Sequence, residues 1–317
     1  MILCVGGTPA VQRTMRFASL RAGEVNRASE VQVTASGKVV NAARVVTTLG
    51  GRAVVATFLG GDAGRFVARE LAAEEVVHDA VWVEDDAPTR TCVTLLPDGG
   101  PVTELVEEAP PVSEGDIAAL EAAVTGRLPE AKVLCLTGSV PPGVPDDAYA
   151  RFVRAARDAG VPALVDAQGP LLRSSLAARP FLVKPNLQEA SAALGLDPGE
   201  DPEAEALAAV DALVGSGARW ALVSMGASGS VLGEAAGGRW IVEPPRVEAR
   251  NPIGSGDSLA AGLLLAVARG VSVPDAAAYG TACAAANALT ITAGVVDPEA
   301  VDALARRVRL APLRNRR

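Results

Sequence analysis

The sequence predicts an α/β protein: a doubly wound, mostly parallel sheet sandwiched by helices, with a small antiparallel β lid beside it. Three observations carry that expectation. Short apolar runs of strand length alternate with segments of helical periodicity along most of the 317 residues. Such alternation makes neighbouring strands parallel, because each crossover covers a sheet face with a helix. Apolar residues make up 49% of the chain, mostly Ala, Val and Leu, enough for a large core with little aromatic help. Two stretches, residues 11–34 and 89–106, replace the alternation with period-2 patterns.

In chain order, the run ILCV at 2–5 opens the sheet as a buried strand. Residues 11–34 contain VNRASEVQV, whose alternation reads as exposed antiparallel strand. A helical pattern follows at 38–49, an apolar strand at 54–59 and a second helix at 64–74. Residues 89–106 contain TCVTLLPDGGPVTEL, a hairpin turning at Gly99 and Gly100. Beyond it, strands at 133–137, 163–166, 181–184 and 221–224 are interleaved with helices at 113–128, 146–159, 187–194 and 202–214, and helices at 257–268 and 274–290 follow. These limits divide the chain into a body, 1–10 with 35–88 and 107–317, and a discontinuous lid, 11–34 with 89–106. A lid of this kind covers an acceptor site, and its free apolar face invites a partner subunit. GLDPGEDPEAE at 195–205 reads as an acidic surface loop.

Composition excludes several classes of function. The formal charge is −8, and basic residues are scattered except for Arg314, Arg316 and Arg317, so no nucleic-acid footprint is expected. Cys4, Cys92, Cys135 and Cys283 lie far apart with no CxxC spacing, which reads as core thiols in a reducing cytosol. The start MILCVGG has no charged prelude, and no apolar run reaches the roughly 20 residues of a membrane span, so a cytoplasmic protein without membrane contact is expected. His78 is the only histidine, which removes the material for Ser-His triads and His metal clusters; it reads as structural. Trp220 and Trp240 are expected to pack the sheet rather than stack a base. No strand is followed by GxGxxG at a helix start, and SGKVV lacks the GxxxxGK[ST] frame, which disfavours dehydrogenase and P-loop readings.

Chemistry concentrates in NPIGSGDSLAAGLLLAVARG, residues 251–270, where a Gly-rich turn opens directly into a helix. Amides of Gly254, Ser255, Gly256 and Asp257 at that start, added to the positive end of the helix dipole, make a site for phosphate and for charge developing during phosphoryl transfer. Asp257 stands where a carboxylate can take a hydroxyl proton beside the anion site. Taken alone, it is also a plain helix cap.

The turn has company. Across nearly its whole length the chain resembles the ribokinase-like (PfkB) carbohydrate kinases, and within them the branch of 1-phosphofructokinase and tagatose-6-phosphate kinase. The resemblance rests on GEVNRASEVQVTASGKVVNAARVVTTLGG and NPIGSGDSLAAG, with TGSVPPG, VDAQG, VKPNLQEA and VSMGASGS between them. It implies an ATP-dependent sugar or sugar-phosphate kinase using Mg²⁺, dimeric through the lid. It makes Asp257 the base, and Gly254, Ser255 and Gly256 the anion hole. Asn186 and Glu189 would place the metal; an amide and a carboxylate three residues apart share a helix face, and hard oxygens suit Mg²⁺. Lys184, Ser224, Gly226 and Gly229 would lie at the donor, with Asn287 near adenine and ribose. Gly37, Lys38 and Asn41 would contact the sugar, while Arg90, Ser139 and Arg27 would reach an acceptor phosphate, to which Lys and Arg give charge-assisted bonds.

The match fails at the acceptor end. Where the branch reads LNPAxD, this chain reads GTPAVQ, with Thr8 for the asparagine and Gln12 for the aspartate that grips two sugar hydroxyls. A neutral amide cannot reproduce paired carboxylate acceptance from a diol. Ser36 and Val39 replace two glycines of GGKG, adding bulk where backbone approaches the ligand. The donor and base positions keep their pattern. An altered acceptor is therefore expected, with an unphosphorylated sugar, a nucleoside, or a non-catalytic binding paralogue as alternatives.

Overall fold

A computed structural model describes residues 1–84, 87–197 and 199–313. Arg314, Arg316 and Arg317 lie outside them. Strand β1 (Ile2–Val5) enters the core, and β2 (Ala10–Phe17) and β3 (Glu30–Ser36) leave it for a separate sheet. Helix α1 (Lys38–Thr48), β4 (Ala53–Leu59), α2 (Gly61–Ala73) and β5 (Val77–Trp82) return to the body. The chain departs again as β6 (Arg90–Pro97) and β7 (Thr103–Val106), turning at Gly99 with φ +69°.

After α3 (Glu114–Arg127) come β8 (Val133–Thr137), α4 (Ala148–Asp158), β9 (Ala163–Asp166), α5 (Gly169–Ala177), β10 (Leu182–Val183), α6 (Leu187–Leu194), α7 (Pro202–Gly215) and β11 (Trp220–Ser224). The last part holds β12 (Ser230–Glu234), β13 (Arg239–Glu243), α8 (Ser255–Ala268), α9 (Val273–Ala288), α10 (Pro298–Ala305) and β14 (Arg309–Pro312).

The large sheet runs β14-β13-β12-β11-β10-β9-β8-β1-β4-β5, parallel from β11 to β5 and antiparallel from β11 to β14. β4 is buried at every position, because helices cover both faces and leave no polar side to alternate. Two apolar clusters form the core, one on each face. One gathers α1, α2, α8, α9 and α10, and the other α3 to α7. Helices α8 and α9 cross closely through glycines: a Cβ on Gly280 would stand 2.4 Å from the Leu259 carbonyl oxygen. All four cysteines are free and buried. Trp220 and Trp240 pack on each other at 5.6 Å, and among the described residues no helix is long and apolar enough to cross a membrane.

Strand order reverses beside β1, whose neighbours are β4 on one side and β8 on the other. In open α/β sheets the crevice at such a point, outside the carboxyl ends of the strands, is where ligands bind. The small sheet runs β3-β2-β6-β7 and stands over that end. Both its hairpins are antiparallel, while the central pair β2–β6 is parallel, because two separate excursions from the body meet side by side.

Candidate active site

Residues 251–254 set the geometry of the first wall. The Ser255 N–H donates to the Pro252 carbonyl at 3.2 Å, and Gly254 has φ +83° and ψ −5°, a type II turn with glycine where a positive φ is required. A Cβ at Gly254 would also meet the Ala293 Cβ and the Gly294 nitrogen at 2.8 Å. Among the described residues nothing accepts from the N–H groups of Gly254, Gly256 or Asp257, which therefore remain free to bind an anion at the positive end of α8. The expectation for Ser255 is corrected: its amide closes the turn and its hydroxyl accepts from Asn287, so it shapes the anion hole without donating to it.

Asn287 is corrected as well. It is fully buried, and its amide is engaged on both sides. The nitrogen donates to the Ile253 carbonyl (2.9 Å) and the Ser255 hydroxyl (3.2 Å), while the oxygen accepts from Gly294 N–H (2.7 Å) and the Ser258 hydroxyl (3.2 Å). It clamps the turn from beneath and has no capacity left for a nucleotide.

Asp257 faces a cavity of about 330 Å³ while only 6% exposed. Its Oδ2 accepts from Asn41 Nδ2 at 2.8 Å, and Asn41 Oδ1 accepts from Ser36 Oγ at 3.1 Å. Burial pushes its carboxyl up to about 6, against the pull of Lys38 and the Asn41 bond. Behind it lies Asp166 at the end of β9, also buried, 3.2 Å from Lys184 Nζ and 3.5 Å from Lys38 Nζ. Burial alone would raise Asp166, but Lys184 and Lys38 together hold it below the ordinary carboxylate range. Asp166 in turn holds Lys38 well above the usual ammonium value. Lys38 is thus fixed as a cation beside Asp257.

The cavity brings together Gln12, Gly37, Lys38, Asn41, Arg90, Lys184, Asn186, Glu189, Ser224, Gly254, Gly256 and Asp257. Ser139, Gly226 and Gly229 do not line it. Ser139 hydrogen-bonds Thr8 at the rim, and Gly229 at φ +98° lets the β12 hairpin close on the Val242 carbonyl. Arg27 is exposed on the loop between β2 and β3. Asn186 and Glu189 form a capping box: Asn186 Oδ1 accepts from Glu189 N–H at 2.8 Å, and Glu189 Oε2 accepts from Asn186 N–H at 2.9 Å. Glu189 Oε1 stays free of the cap, 3.6 Å from Lys38 Nζ. Among the described residues no group of three or more His, Cys, Asp or Glu side chains could hold a metal.

Two charged lining residues escaped the sequence reading. Asp166 sits in VDAQG at the carboxyl end of an anticipated strand, where a ligand-facing acid is expected. Glu104 is an exposed charge on a short strand, and the pairing of β6 with β7 places it on the face of the lid that borders the cavity.

Residues 1–299 match the model of the pfkB family carbohydrate kinases. The chain belongs to that family. PfkB carbohydrate kinases are phosphotransferases that use ATP and act on sugar hydroxyl groups, so this chain is a sugar kinase by family. Phosphofructokinase-2 of Escherichia coli, solved with substrates and products, is 25% identical over 96% of this chain and 98% of that chain, with a TM-score of 0.87. A possible 1-phosphofructokinase of Thermotoga maritima is 22% identical over 99% of both chains, with a TM-score of 0.89. Arabidopsis thaliana ribokinase, complexed with ribose and ATP, is 22% identical over 96% and 98%, with a TM-score of 0.75. The ribokinase-like fold is therefore shared by all three.

Proposed function

We propose that this PfkB kinase transfers the γ-phosphoryl group of ATP to a hydroxyl of a sugar or sugar phosphate, with an acceptor pocket altered from those of 1-phosphofructokinase and tagatose-6-phosphate kinase. The observation that carries the reading is Asp257 opening onto the cavity beside the free amides of α8. ATP supplies the phosphoryl group, and Mg²⁺ neutralises phosphate charge. Asp257 takes the proton of the attacking hydroxyl, and Asn41 keeps its carboxylate oriented. Amides of Gly254, Gly256 and Asp257, with Lys38 and Lys184, stabilise charge as it develops on the transferred group.

Mg²⁺ commonly uses one or two carboxylates together with substrate phosphates rather than an all-protein cage. In this reading Glu189, whose Oε1 lies outside the cap, would be such a carboxylate. Asn186 orients it. Gln12, Ser36, Lys38, Gly37, Asn41 and Arg90 are the acceptor residues in this reading, and Lys184 and Ser224 the donor ones. The lid is proposed to be a unit of its own and to join two copies of the chain. The four buried free cysteines support a cytoplasmic setting.

A panel of sugars and sugar phosphates, followed by ADP release, tests the activity. Turnover of at least one acceptor is expected, and no turnover across the panel with ATP still bound would favour a binding paralogue.

A further inference from the structure

The lid adds a carboxylate to the acceptor end of the cavity. Glu104 on β7 lies opposite Thr94 on β6, and Val106 lies opposite Cys92, which pairs with Gln12 on β2. Period-2 alternation puts these side chains on one face of the lid, and Gln12, Cys92, Glu104 and Val106 all line the cavity. Among the described residues no hydrogen bond or ion pair engages the Glu104 carboxylate. Partial burial raises it above the ordinary carboxylate range, against the pull of Arg90, so it lacks donors that a ligand can bring.

Its neighbours are only partly committed, and Arg90 Nε is buried without a partner among the described residues. The terminal nitrogens of Arg90 donate to the carbonyls of Thr8 (3.1 Å) and Glu107 (3.3 Å). The amide nitrogen of Gln12 donates to Thr94 Oγ1 at 2.8 Å, which leaves its oxygen as an acceptor. Two acceptor groups, Gln12 and Glu104, thus face the space opposite the catalytic base.

We propose that Glu104 grips acceptor hydroxyls from the lid beside Gln12, and that the acceptor is a neutral sugar or polyol without phosphate at the lid end. The assignment rests on the kinase reading above. A carboxylate accepts from two hydroxyl groups at once, whereas a phosphate dianion in the same place offers it no donor and repels it. The terminal nitrogens of Arg90 brace the lid against the body, and its Nε is left as a donor at the acceptor end of the cavity.

The test compares neutral sugars and polyols with their phosphate esters as acceptors for the purified full chain, and repeats the assay with Glu104→Gln and Glu104→Asp. Expected is a higher kcat/KM for the neutral series. In Glu104→Gln the acceptor KM should rise about tenfold more than kcat falls, with the ATP KM steady and partial recovery in Glu104→Asp. A wild type that prefers phosphate esters, or an acceptor KM unmoved in Glu104→Gln, overturns the assignment while leaving the kinase intact. Silence toward both series defeats the kinase reading and this one with it.

Discussion

In the proposed mechanism Asp257 is a base that must be ionised near neutrality while its surroundings oppose ionisation, and three measurements follow from that conflict. With its carboxyl pushed up to about 6, the deprotonated form gains population between about pH 5 and 7, so kcat/KM should climb across that interval. A profile already flat at pH 5 would place the base elsewhere. Asp257→Asn should cut turnover by several orders of magnitude. The same change should stabilise the fold. A carboxyl whose folded value lies above its ordinary 3.8 loses stability as pH rises from that value toward about 6, so at pH 7 the neutral amide should gain about 1–3 kcal/mol in urea unfolding. At this scale the Gly-rich turn pointed to Asp257 by itself, because its chemistry is local to a helix start, whereas Lys38 and Asn41 came from the family resemblance. Ser255 and Asn287 were misplaced because sequence reveals an amide or hydroxyl but not the side of the turn it braces. Glu104 was invisible because only strand register places it on the face bordering the cavity.

Among the elements, the type II turn before α8 decides whether the anion hole exists. At φ +83° an alanine pays a left-handed penalty of about 1–2 kcal/mol, and its Cβ would collide with the backbone at Gly294. Gly254→Ala should therefore lower kcat far more than ATP binding and cost about 2–4 kcal/mol of stability, measurable by chemical denaturation. The parallel strands β1, β4, β8, β9 and β11 were legible because burial on both faces leaves unbroken apolar runs. β5 was not: at the sheet edge VHDAVW is only partly covered, so its pattern carries no clear period. β12 and β13 escaped because antiparallel strands need no crossover helix to announce them. The two hairpins of the lid were legible from alternation, whereas the parallel β2–β6 pairing between them depends on where the body returns the chain.

For the whole molecule, the lid is the part whose surface remains unsettled by its own fold. Its register aligns Val33, Arg13, Val93 and Leu105 in one row and Val31, Met15, Leu95 and Thr103 in the next, a face opposite the cavity that is apolar except for Arg13 and Thr103. Val31, Val33 and Leu105 are 45%, 37% and 54% exposed in the single chain, and Val25 on the adjoining loop is 85% exposed. An apolar sheet face of this kind is a liability for a monomer and a ready interface for a second copy. The expectation for this chain is a dimer through the lid. Sedimentation of the purified protein at micromolar concentration should give twice the chain mass of 32.1 kDa. Replacing Val33 and Leu105 together by Lys should shift it to monomer, because two buried cations without partners face each other across the interface. Both substitutions lie on exposed positions away from the cavity, so the monomer should remain folded by circular dichroism. A wild type that sediments as a monomer, or a double variant that stays dimeric, would show that this face is not where copies of the chain meet.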